Sequence, residues 1–428
     1  MIPELRDRFS KAAELVKGHR KVHLFSHYDA DGISSLSIVA SVLERNGIEY
    51  TYDIFPTLGP KQMEVVMERD FDCMIMTDMG TSFIKDIASK GKDCVILDHH
   101  EPNDDVDDAH VAFVNCHNAG IDGSYEVCAA TMAYLFAQYM GDNRDLVNIA
   151  IAGMIGDKQH IGGFKGINSR IIESAVKDGL IVRTEETILP PGDIRRALFE
   201  SLDPYIIGIS GDREGVEGLL GSCDPEDLED RIISMLKEQG VREKVIDECI
   251  QPRYYLERYG MDAERFSRII DACGRRDMES AGIELCLRGS NDEAEHVYES
   301  FIENNLSKTV ELVRNGTRRM SHIQYFMCDT KGIAGSMGGT YSRYVGDPMI
   351  PIIGLRIAGD IIDVSSRCSS KAIEYGINMA VAMNRGAASV GGNGGGHMNA
   401  AGATIPNGRM EEFLEAVNEI VRRQIEKN

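Results

Sequence analysis

The stretch that decides the fold is KVHLFSHYDADG at residues 21–32, where a short apolar run ends in His27, Asp29 and Asp31. Its β-branched and aromatic residues predict a buried strand, and the sequence from Gly32 onward predicts a helix. Because alternate side chains of an extended chain leave on the same side, the three polar side chains can share one cavity. Close carboxylates repel one another, and a divalent cation relieves that repulsion. A turn that caps the helix would explain the same residues, so further acids at this edge must decide.

The pattern of strand followed by helix repeats after this stretch. Further strands are predicted at residues 49–55, 73–78, 94–102 and 111–115, and segments of helical pattern follow the first two of these. Apolar strands that alternate with helices are typical of a mostly parallel, doubly wound sheet with helices on both faces. Ligands of such sheets bind outside the carboxyl ends of the strands. The sequence therefore predicts an α/β fold with a functional site at this edge.

Acids and histidines follow several of the apolar segments. They are Asp78 at the end of the third strand, Asp98, His99 and His100 at the end of the fourth, and Asp157 within the later segment NIAIAGMIGDK. Each alone could be a helix cap or a turn residue, but their recurrence at one sheet edge favours a metal site. Carboxylates with one or two imidazoles suit Mn²⁺ or Mg²⁺, and they also admit Zn²⁺. The set is large enough for two cations bridged by one carboxylate, an arrangement used in phosphoester hydrolysis.

Composition and length limit the class of protein. A chain of 428 residues with 43% hydrophobic and 27% charged residues is expected to form two or three globular domains. We find no apolar run long enough to span a bilayer, and the N-terminal pattern is that of an amphipathic helix, so a cytoplasmic location is expected. The ten cysteines form no CxxC pair, which argues against a zinc knuckle and a disulfide framework.

The net charge of -22 disfavours a polyanionic partner for the molecule as a whole. A local groove lined by basic residues or by bound metal can still attract phosphate. Tryptophan is absent and aromatic residues make up 7% of the chain, so tyrosine and phenylalanine would have to supply any base stacking.

The middle and the end of the chain have different patterns. Residues 189–316 begin at the helix-breaking turn LPPGD and are rich in charge and helical pattern, so we expect a helical connector and insert. It could serve as a spacer or as a docking module for a partner. Strand patterns return in residues 317–428, which predicts a smaller C-terminal α/β domain.

Two glycine-rich segments of this last part have the composition of phosphate-binding loops. GIAGSMGG at residues 332–339 and GGNGGG at residues 391–396 offer backbone N–H groups that side chains do not obstruct. Such loops are often only turns. Arg367 and His397 would place a charge and a directed donor beside them.

These motifs together resemble a known family. HYDADG, TDMG, LDHHEP and GMIGD, in this order and spacing, resemble the four motifs of the DHH phosphoesterase superfamily, and GGNGGGHMNAAGA at residues 391–403 resembles the signature of the DHH-associated domain. The chain is most similar to the RecJ-like subgroup, and within it to the archaeal-type short RecJ proteins that include the GINS-associated nuclease.

The resemblance implies roles for the motif residues. Asp29 would bind one metal, with His27 beside it; Asp31, His99 and Asp157 would bind a second; Asp78 would bridge the two. His100 would face the scissile phosphate, and Asp98 would orient the histidine pair. His27 stands where bacterial RecJ usually has an acid, so its role as a ligand stays open. The expected cofactors are two divalent cations, with Mn²⁺ preferred and Mg²⁺ possible.

The resemblance also implies an organisation and a substrate site. A DHH catalytic domain would span residues 1–188, the helical connector residues 189–316, and a DHH-associated, substrate-binding domain residues 317–428, with the active-site cleft between the two α/β domains. The implied substrate contacts are Arg367, Gly395, Gly396, His397 and Asn399.

Three functions follow as alternatives. The first is an exonuclease that releases mononucleotides from single-stranded DNA or also RNA, with 5′-to-3′ polarity favoured, in replication or repair. The second is a phosphodiesterase for short oligoribonucleotides or cyclic dinucleotides. The third is a non-catalytic replisome scaffold, which predicts eroded ligands, whereas every motif acid is present. Expected partners are single-stranded nucleic acid and replication factors such as GINS, bound through the insert, and no membrane.

Overall fold

A five-stranded sheet organises the first part of the chain. The computed structural model describes residues 2–106 and 108–426. The strands are β1 (Lys21–His27), β2 (Glu49–Phe55), β3 (Cys73–Thr77), β4 (Asp93–Asp98) and β5 (Val111–Asn115). They lie in the order β2-β1-β3-β4-β5, and all neighbours are parallel. In this order the topological switch point lies between β1 and β3, so the crevice for a ligand opens where these two strands end.

Helices cover both faces of this sheet. They are α1 (Arg6–Lys17), α2 (Ala30–Arg45), α3 (Pro60–Glu68), α4 (Ile84–Ser89), α5 (Ala129–Met140), α6 (Val147–Gly156) and α7 (Gly166–Lys177). Helices α3 and α4 pack with Phe25, Met74 and Ile96 on one face, and α1, α2 and α5 contact strands from the other. These elements confirm the predicted doubly wound α/β fold.

The chain divides into two compact units, the first made of Met1–Pro190 with Gln251–Glu299 and the second of Pro191–Ile250 with Ser300–Asn428. The elements from β6 to α14 are β6 (Val182–Thr187), α8 (Ile194–Phe199), α9 (Arg213–Ser222), α10 (Leu228–Glu238), α11 (Glu243–Cys249), β7 (Gln251–Leu256), β8 (Met261–Asp262), α12 (Ala263–Arg275), α13 (Glu279–Arg288) and α14 (Asp292–Asn315). Strands β6, β7 and β8 form an antiparallel sheet. The expected connector is thus largely helical but also contains two strands. β7 (QPRYYL) is not an apolar run, and β8 has only two residues, so neither has a clear strand pattern.

A six-stranded sheet forms the second unit. Its elements are β9 (Arg318–Arg319), β10 (Gln324–Met327), α15 (Ala334–Tyr344), β11 (Ile352–Ala358), β12 (Ile361–Arg367), α16 (Ser370–Glu374), α17 (Met379–Ser389), β13 (Asn393–Gly396), β14 (Ala400–Pro406) and α18 (Met410–Ile425). The order is β13-β14-β12-β11-β10-β9, with β10 and β11 parallel and the other pairs antiparallel. Residues from the sheet, α17 and α18 share one core. The predicted C-terminal α/β architecture is therefore confirmed.

Three local expectations differ from the structure. The apolar segment that ends before Asp157 is the helix α6 and not a strand; because it is apolar all round and buried, its sequence has no helical stripe. The glycine-rich segment at residues 391–396 contains the strand β13. Most of GIAGSMGG lies in the helix α15 and not in a loop. The predicted closing helix ends at Ile425, and Lys427 and Asn428 lie outside the described residues.

Two general features complete the fold. Within residues 2–106 and 108–426, no helix is both long enough and apolar enough to cross a membrane. All ten cysteines are free, and all are buried except Cys223, which is partly exposed.

Candidate metal centre

His27 and Asp29 lie at the end of β1. His27 Nε2 is 3.2 Å from the carbonyl oxygen of Pro56, which accepts a hydrogen bond from this nitrogen and leaves Nδ1 for another partner. His27 Nδ1 lies 3.0 Å from Asp29 Oδ2 and 3.4 Å from Asp78 Oδ2. Asp29 is also the N-cap of α2, because its Oδ1 accepts a hydrogen bond from Gly32 N at 3.0 Å. The helix-cap interpretation and the metal interpretation of this motif are therefore compatible.

Asp31 reaches the site differently from the extended geometry expected. Helix α2 begins at Ala30, so Asp31 lies in its first turn and not on an extended chain. Its carboxylate accepts hydrogen bonds from Ala129 N at 2.7 Å and Ala130 N at 2.8 Å, at the start of α5. The amino terminus of a helix favours a carboxylate, so α5 fixes the orientation of this side chain.

His99 brings together a second group with Asp31 and Asp157. Its Nδ1 lies 2.7 Å from the carbonyl oxygen of Gly123, which directs Nε2 toward the acids. Nε2 lies 3.5 Å from Asp157 Oδ2 and 3.8 Å from Asp31 Oδ2. Asp157 follows α6 as its C-cap residue. The buried helix therefore delivers a carboxylate to the same edge as the strands.

Asp78 lies between the two groups. Its Oδ2 is 3.4 Å from His27 Nδ1, and its Oδ1 is 3.3 Å from His99 Nε2. Asp78 is buried and has a φ of 58°, a left-handed conformation that is uncommon for residues other than glycine. Such backbone strain concentrates at functional sites. Each carboxylate oxygen of Asp78 thus faces a different group of candidate ligands.

His100 and Asp98 form a pair beside these groups. Asp98 is buried and accepts hydrogen bonds from Thr81 N at 3.1 Å, His99 N at 2.8 Å and His100 Nδ1 at 2.8 Å. Burial would raise the pKa of Asp98, but the His100 imidazole and these donors hold it well below its usual range. Asp98 is therefore an orienting anion whose oxygens are already engaged. The half-exposed His100 ring directs Nε2 away from Asp98.

The donor set fits divalent cations. Ligand atoms lie within 4.8 Å of one another in three sets, which are His27 with Asp29 and Asp78, Asp31 with His99 and Asp157, and Asp78 with Asp98, His99 and His100. Burial, and then the charge of Asp78, raise the pKa of Asp31 to about 7. Burial, and then the charge of Asp31, raise the pKa of Asp157 well above its usual value. These shifts express a concentration of negative charge that a cation would neutralise.

Helix α12 contributes a residue that the sequence analysis missed. Arg275 donates a hydrogen bond from Nε to Asp271 Oδ2 at 2.6 Å. Burial would raise the pKa of Asp29, but the neighbouring His27, the Gly32 N–H group and, to a smaller extent, the charge of Arg275 lower it. A Cβ atom on the preceding Gly274 would lie 1.6 Å from the carbonyl oxygen of Tyr28, between His27 and Asp29 in the chain. The end of α12 therefore packs directly against the candidate ligand loop. The GRRD sequence at residues 274–277 was the available signal.

The predicted substrate contacts lie together in the second unit. Arg367 ends β12 opposite Ala400 of β14, and Cys368 N donates to Asn399 O at 3.0 Å. His397 and Asn399 are exposed in the turn that follows Gly395 and Gly396 of β13. A Cβ atom on Gly335 of α15 would lie 2.6 Å from Arg367 Nη2, so the guanidinium lies against the first glycine-rich segment. One edge of this sheet thus presents a cation and an exposed turn.

Comparisons with known sequences identify two domains. The family model described as the DHH family, N-terminal domain, matches residues 21–156, and that of the DHHA1 domain matches residues 323–423. An uncharacterised protein of Methanocaldococcus jannaschii is 29% identical over 420 residues, which cover 95% of this chain and 94% of the relative. The single-stranded-DNA-specific exonuclease RecJ of Bacillus subtilis is 28% identical over 166 residues, covering 36% of this chain and 21% of that RecJ.

Comparisons with solved structures identify the fold. RecJ of Thermus thermophilus, in complex with Mn²⁺, aligns with a TM-score of 0.62 at 16% identity and covers 99% of this chain. The chain spans about half of that protein, 55% of its length. CDC45 from Entamoeba histolytica aligns with a TM-score of 0.62 at 10% identity, over 98% of both chains. At these identities the likeness establishes a shared fold.

Proposed function

The chain belongs to the DHH superfamily, with a RecJ-like pairing of a DHH and a DHHA1 domain, and on this premise we propose that it is a metal-dependent phosphodiesterase. Its substrate is single-stranded DNA, with RNA as a second substrate, and it releases mononucleotides from the 5′ end. The observation that carries the proposal is the placement of Asp78 between two groups of carboxylates and imidazoles.

Six side chains would hold two cations, of which Mn²⁺ is the proposed preference. His27 and Asp29 would hold one cation, Asp31, His99 and Asp157 would hold the other, and Asp78 would contribute to both sites. Bound there, two divalent cations lower the pKa of a water molecule and neutralise charge on the phosphoryl oxygens. The carbonyl oxygens of Pro56 and Gly123 hold the two imidazoles with one nitrogen directed inward.

His100 serves as the hydrogen-bond donor to the substrate in this mechanism. Burial alone would lower the pKa of His100, but the charge of Asp98 raises it above its usual value. The charge of Asp98 thus favours the protonated ring, in which Nδ1 donates to Asp98 and Nε2 is the nitrogen that would donate to the phosphate. Asp98 acts by holding this ring in place.

Arg367 and the turn after β13 provide phosphate contacts in the DHHA1 domain. The guanidinium can bind a phosphate through two parallel hydrogen bonds, and the residues beside it, Gly395, Gly396, His397 and Asn399, offer backbone and side-chain donors. The proposed division of roles is that this domain holds the strand and the DHH domain hydrolyses it.

A set of labelled substrates tests the function. A 30-mer DNA, the same RNA sequence and a dinucleotide, each labelled at the 5′ or 3′ end, would be incubated with Mn²⁺ and with a chelator. Mononucleotides released stepwise from the DNA only with Mn²⁺ are the expected result, and the end at which the label is lost gives the polarity. Cleavage of the dinucleotide alone would replace the proposal by a short-oligonucleotide phosphodiesterase, and no cleavage would favour a scaffold.

The helical insert at residues 189–316 is the proposed docking region for replication factors such as GINS. The support for this role is the fold shared with CDC45 and the absence of candidate ligand clusters from this insert among the described residues. Co-purification with recombinant GINS tests the role, and failure to associate at micromolar concentrations would exclude it.

A further inference from the structure

An aromatic and a basic side chain form a pair beside the candidate metal centre. Tyr125 is 57% exposed, which is the largest exposure among the apolar and aromatic side chains found exposed in the described chain. The Nζ atom of Lys165 lies over its ring, 5.5 Å from the centroid. An ammonium group over the face of a tyrosine is attracted by the electrons of the ring. Neither residue belongs to the ligand or substrate sets described above.

The loop that carries Tyr125 is attached to the metal centre. Its residue Gly123 accepts hydrogen bonds at the carbonyl oxygen from His99 Nδ1 at 2.7 Å and from Gln159 Nε2 at 3.0 Å. Gln159 Nε2 also donates to Val127 O at 3.0 Å. Gly123 and Val127 are buried, whereas Tyr125 between them is exposed. Because two residues span at most about 7 Å, Tyr125 lies close to the residue that orients His99.

The segment that carries Lys165 is attached to the same loop. It begins at the candidate ligand Asp157, and Lys165 is the N-cap residue of α7. Asn168 of α7 donates from its backbone N to Glu126 O at 3.0 Å and from Nδ2 to Gln159 Oε1 at 2.6 Å. Buried hydrogen bonds thus fix both parts of the pair relative to the acids.

We propose that Tyr125 and Lys165 form a stacking platform for one base of a single-stranded nucleic acid, with Lys165 contacting the adjacent phosphate. Aromatic faces beside basic groups are the features with which proteins bind single strands. The net charge of -22 repels a polyanion, so favourable contacts must be local, as they are at Lys165. This inference rests on the proposed function, because it positions the substrate of that same centre.

Two substitutions of Tyr125 distinguish the contribution of its aromatic ring to substrate binding from that of its hydroxyl group. Tyr125→Ala is expected to raise KM for a 12-mer of thymidine roughly 10-fold, because one base stacked on an aromatic side chain contributes about that much to binding. The kcat is expected to change by less than about 2-fold. Tyr125→Phe keeps the ring and is expected to keep the KM of the wild type. Tyr255→Ala is the matched control, since Tyr255 is 37% exposed on β7 and belongs to neither the ligand set nor the substrate set. Both tyrosines are at the surface, so folding is preserved in all three variants.

Abasic substrates test stacking directly. A single abasic nucleotide is moved through the first positions of the 12-mer, and one position is expected to raise KM for the wild type about as much as Tyr125→Ala does. At that position the abasic change is expected to leave KM of the Tyr125→Ala variant unchanged. A wild-type KM in Tyr125→Ala, or an abasic penalty that persists in this variant, would overturn the platform.

Binding separates this inference from the proposed function. Fluorescence anisotropy of a labelled 12-mer in Ca²⁺ measures association without requiring turnover. If the wild type binds the strand and Tyr125→Ala weakens binding, the platform is supported even when the protein does not hydrolyse the strand. In that case only the proposed function is contradicted. If the wild type hydrolyses DNA and both Tyr125 variants behave like it, only the platform falls. If the strand does not bind at all, both fall.

Discussion

Asp78 is the residue on which the proposed chemistry depends, because each of its oxygens faces a different group of ligands. We predict that Asp78→Asn lowers kcat with Mn²⁺ by at least about 100-fold. Asparagine tolerates the φ of 58° and keeps the size of the side chain, so the fold is retained. Hydrolysis of the labelled 30-mer measures the loss, and near-normal turnover would remove the bridging role.

The same variant gives a readout that does not require activity. Removing one buried charge relieves the repulsion that raises the pKa of Asp31, so the variant should be at least as stable as the wild type in a chelator. Adding Mn²⁺ should raise Tm of the wild type and raise that of the variant less. Asp72→Asn is the control, since this side chain is 84% exposed in the same part of the chain and should change neither result.

At the level of single residues, the sequence indicated the acids but not what orients them. Asp78 and Asp157 each follow an apolar segment, and this position made them recognisable. The contacts that direct His27 and His99 are backbone carbonyl oxygens of Pro56 and Gly123, which have no side-chain signature. Whether the six side chains bind metal stays a prediction, although the structure brings them together.

Helix α12 ends against residues 27–29, which carry the candidate ligands His27 and Asp29. This contact predicts whether a substitution in α12 raises or lowers the free energy of unfolding. Gly274→Ala should destabilise the protein by about 2 kcal/mol, because the new Cβ would overlap the carbonyl oxygen of Tyr28. Helix propensity alone predicts the opposite, a gain of about 1 kcal/mol. Urea unfolding measures the change. Because Tyr28 separates His27 from Asp29, activity should fall as well.

A second helical glycine supplies the matched control. A Cβ atom added to Gly218 of α9 would have no neighbouring atom within 4 Å, so Gly218→Ala should show the stabilisation expected from propensity. If Gly274→Ala were equally stabilising, the close contact of α12 with the ligand loop would be contradicted.

The small sheet of β6, β7 and β8 depends on a buried ion pair. Arg253 of β7 is only 3% exposed in its side chain, forms a salt bridge with Glu264 of α12, and donates to Thr187 O at 3.1 Å and Ile188 O at 2.9 Å. Glu264→Gln removes the carboxylate that compensates this buried charge. We predict a loss of about 3 kcal/mol at pH 7, measured by urea unfolding.

The pH dependence of that loss has a defined direction. Burial would raise the pKa of Glu264, but the charge of Arg253 lowers it below the usual value of 4.5. The carboxylate therefore stabilises the fold fully above pH 4.5, and this stabilisation is lost as the pH falls below that value. The difference between wild type and variant should shrink in acid. Glu217→Gln, which removes an ion pair exposed on both sides, should change little at either pH.

Among the elements, those with a distinctive pattern of apolar residues could be predicted from the sequence, and those without such a pattern could not. The strands β1, β3, β4 and β5 were confirmed because each is a short run of mainly apolar residues, and β2 (EYTYDIF) because it is rich in aromatic and β-branched residues. The helix α6 was expected among the sheet-edge segments because an apolar run without a stripe fits either structure. The strand β13 consists of an asparagine and three glycines, and only its pairing with β14 makes it a strand.

Because the molecule has a net charge of -22 and few proposed basic contacts with the substrate, we expect KM to depend only weakly on the salt concentration. With Lys165 and Arg367 as the proposed charged phosphate contacts, a plot of log KM against log NaCl at saturating Mn²⁺ should have a slope of about 1.4, because each such contact on a single strand contributes about 0.7. Kinetics with the 30-mer between roughly 50 and 300 mM NaCl, the range where binding is sensitive to salt, measure this slope. A slope above about 5 would require a more extensive basic surface.

The organisation of the whole chain was the least predictable from sequence. The first unit contains Gln251–Glu299, which return to it after the segment Pro191–Ile250 of the second unit. Contacts such as Ser267 Oγ to Ala152 O at 2.7 Å join residues far apart in the chain. Local patterns carry no information on such pairs, and the predicted boundaries at residues 188 and 316 stay predictions.

The distribution of the ten cysteines has a practical consequence. Since Cys223 is partly exposed and the other nine are buried, a thiol reagent added to the folded protein should modify one position, the C-cap residue of α9, and spare the rest. A single fluorophore can therefore be attached there without mutagenesis. The nine remaining thiols become reactive only when the chain opens, so the number of labels per molecule records which parts have unfolded.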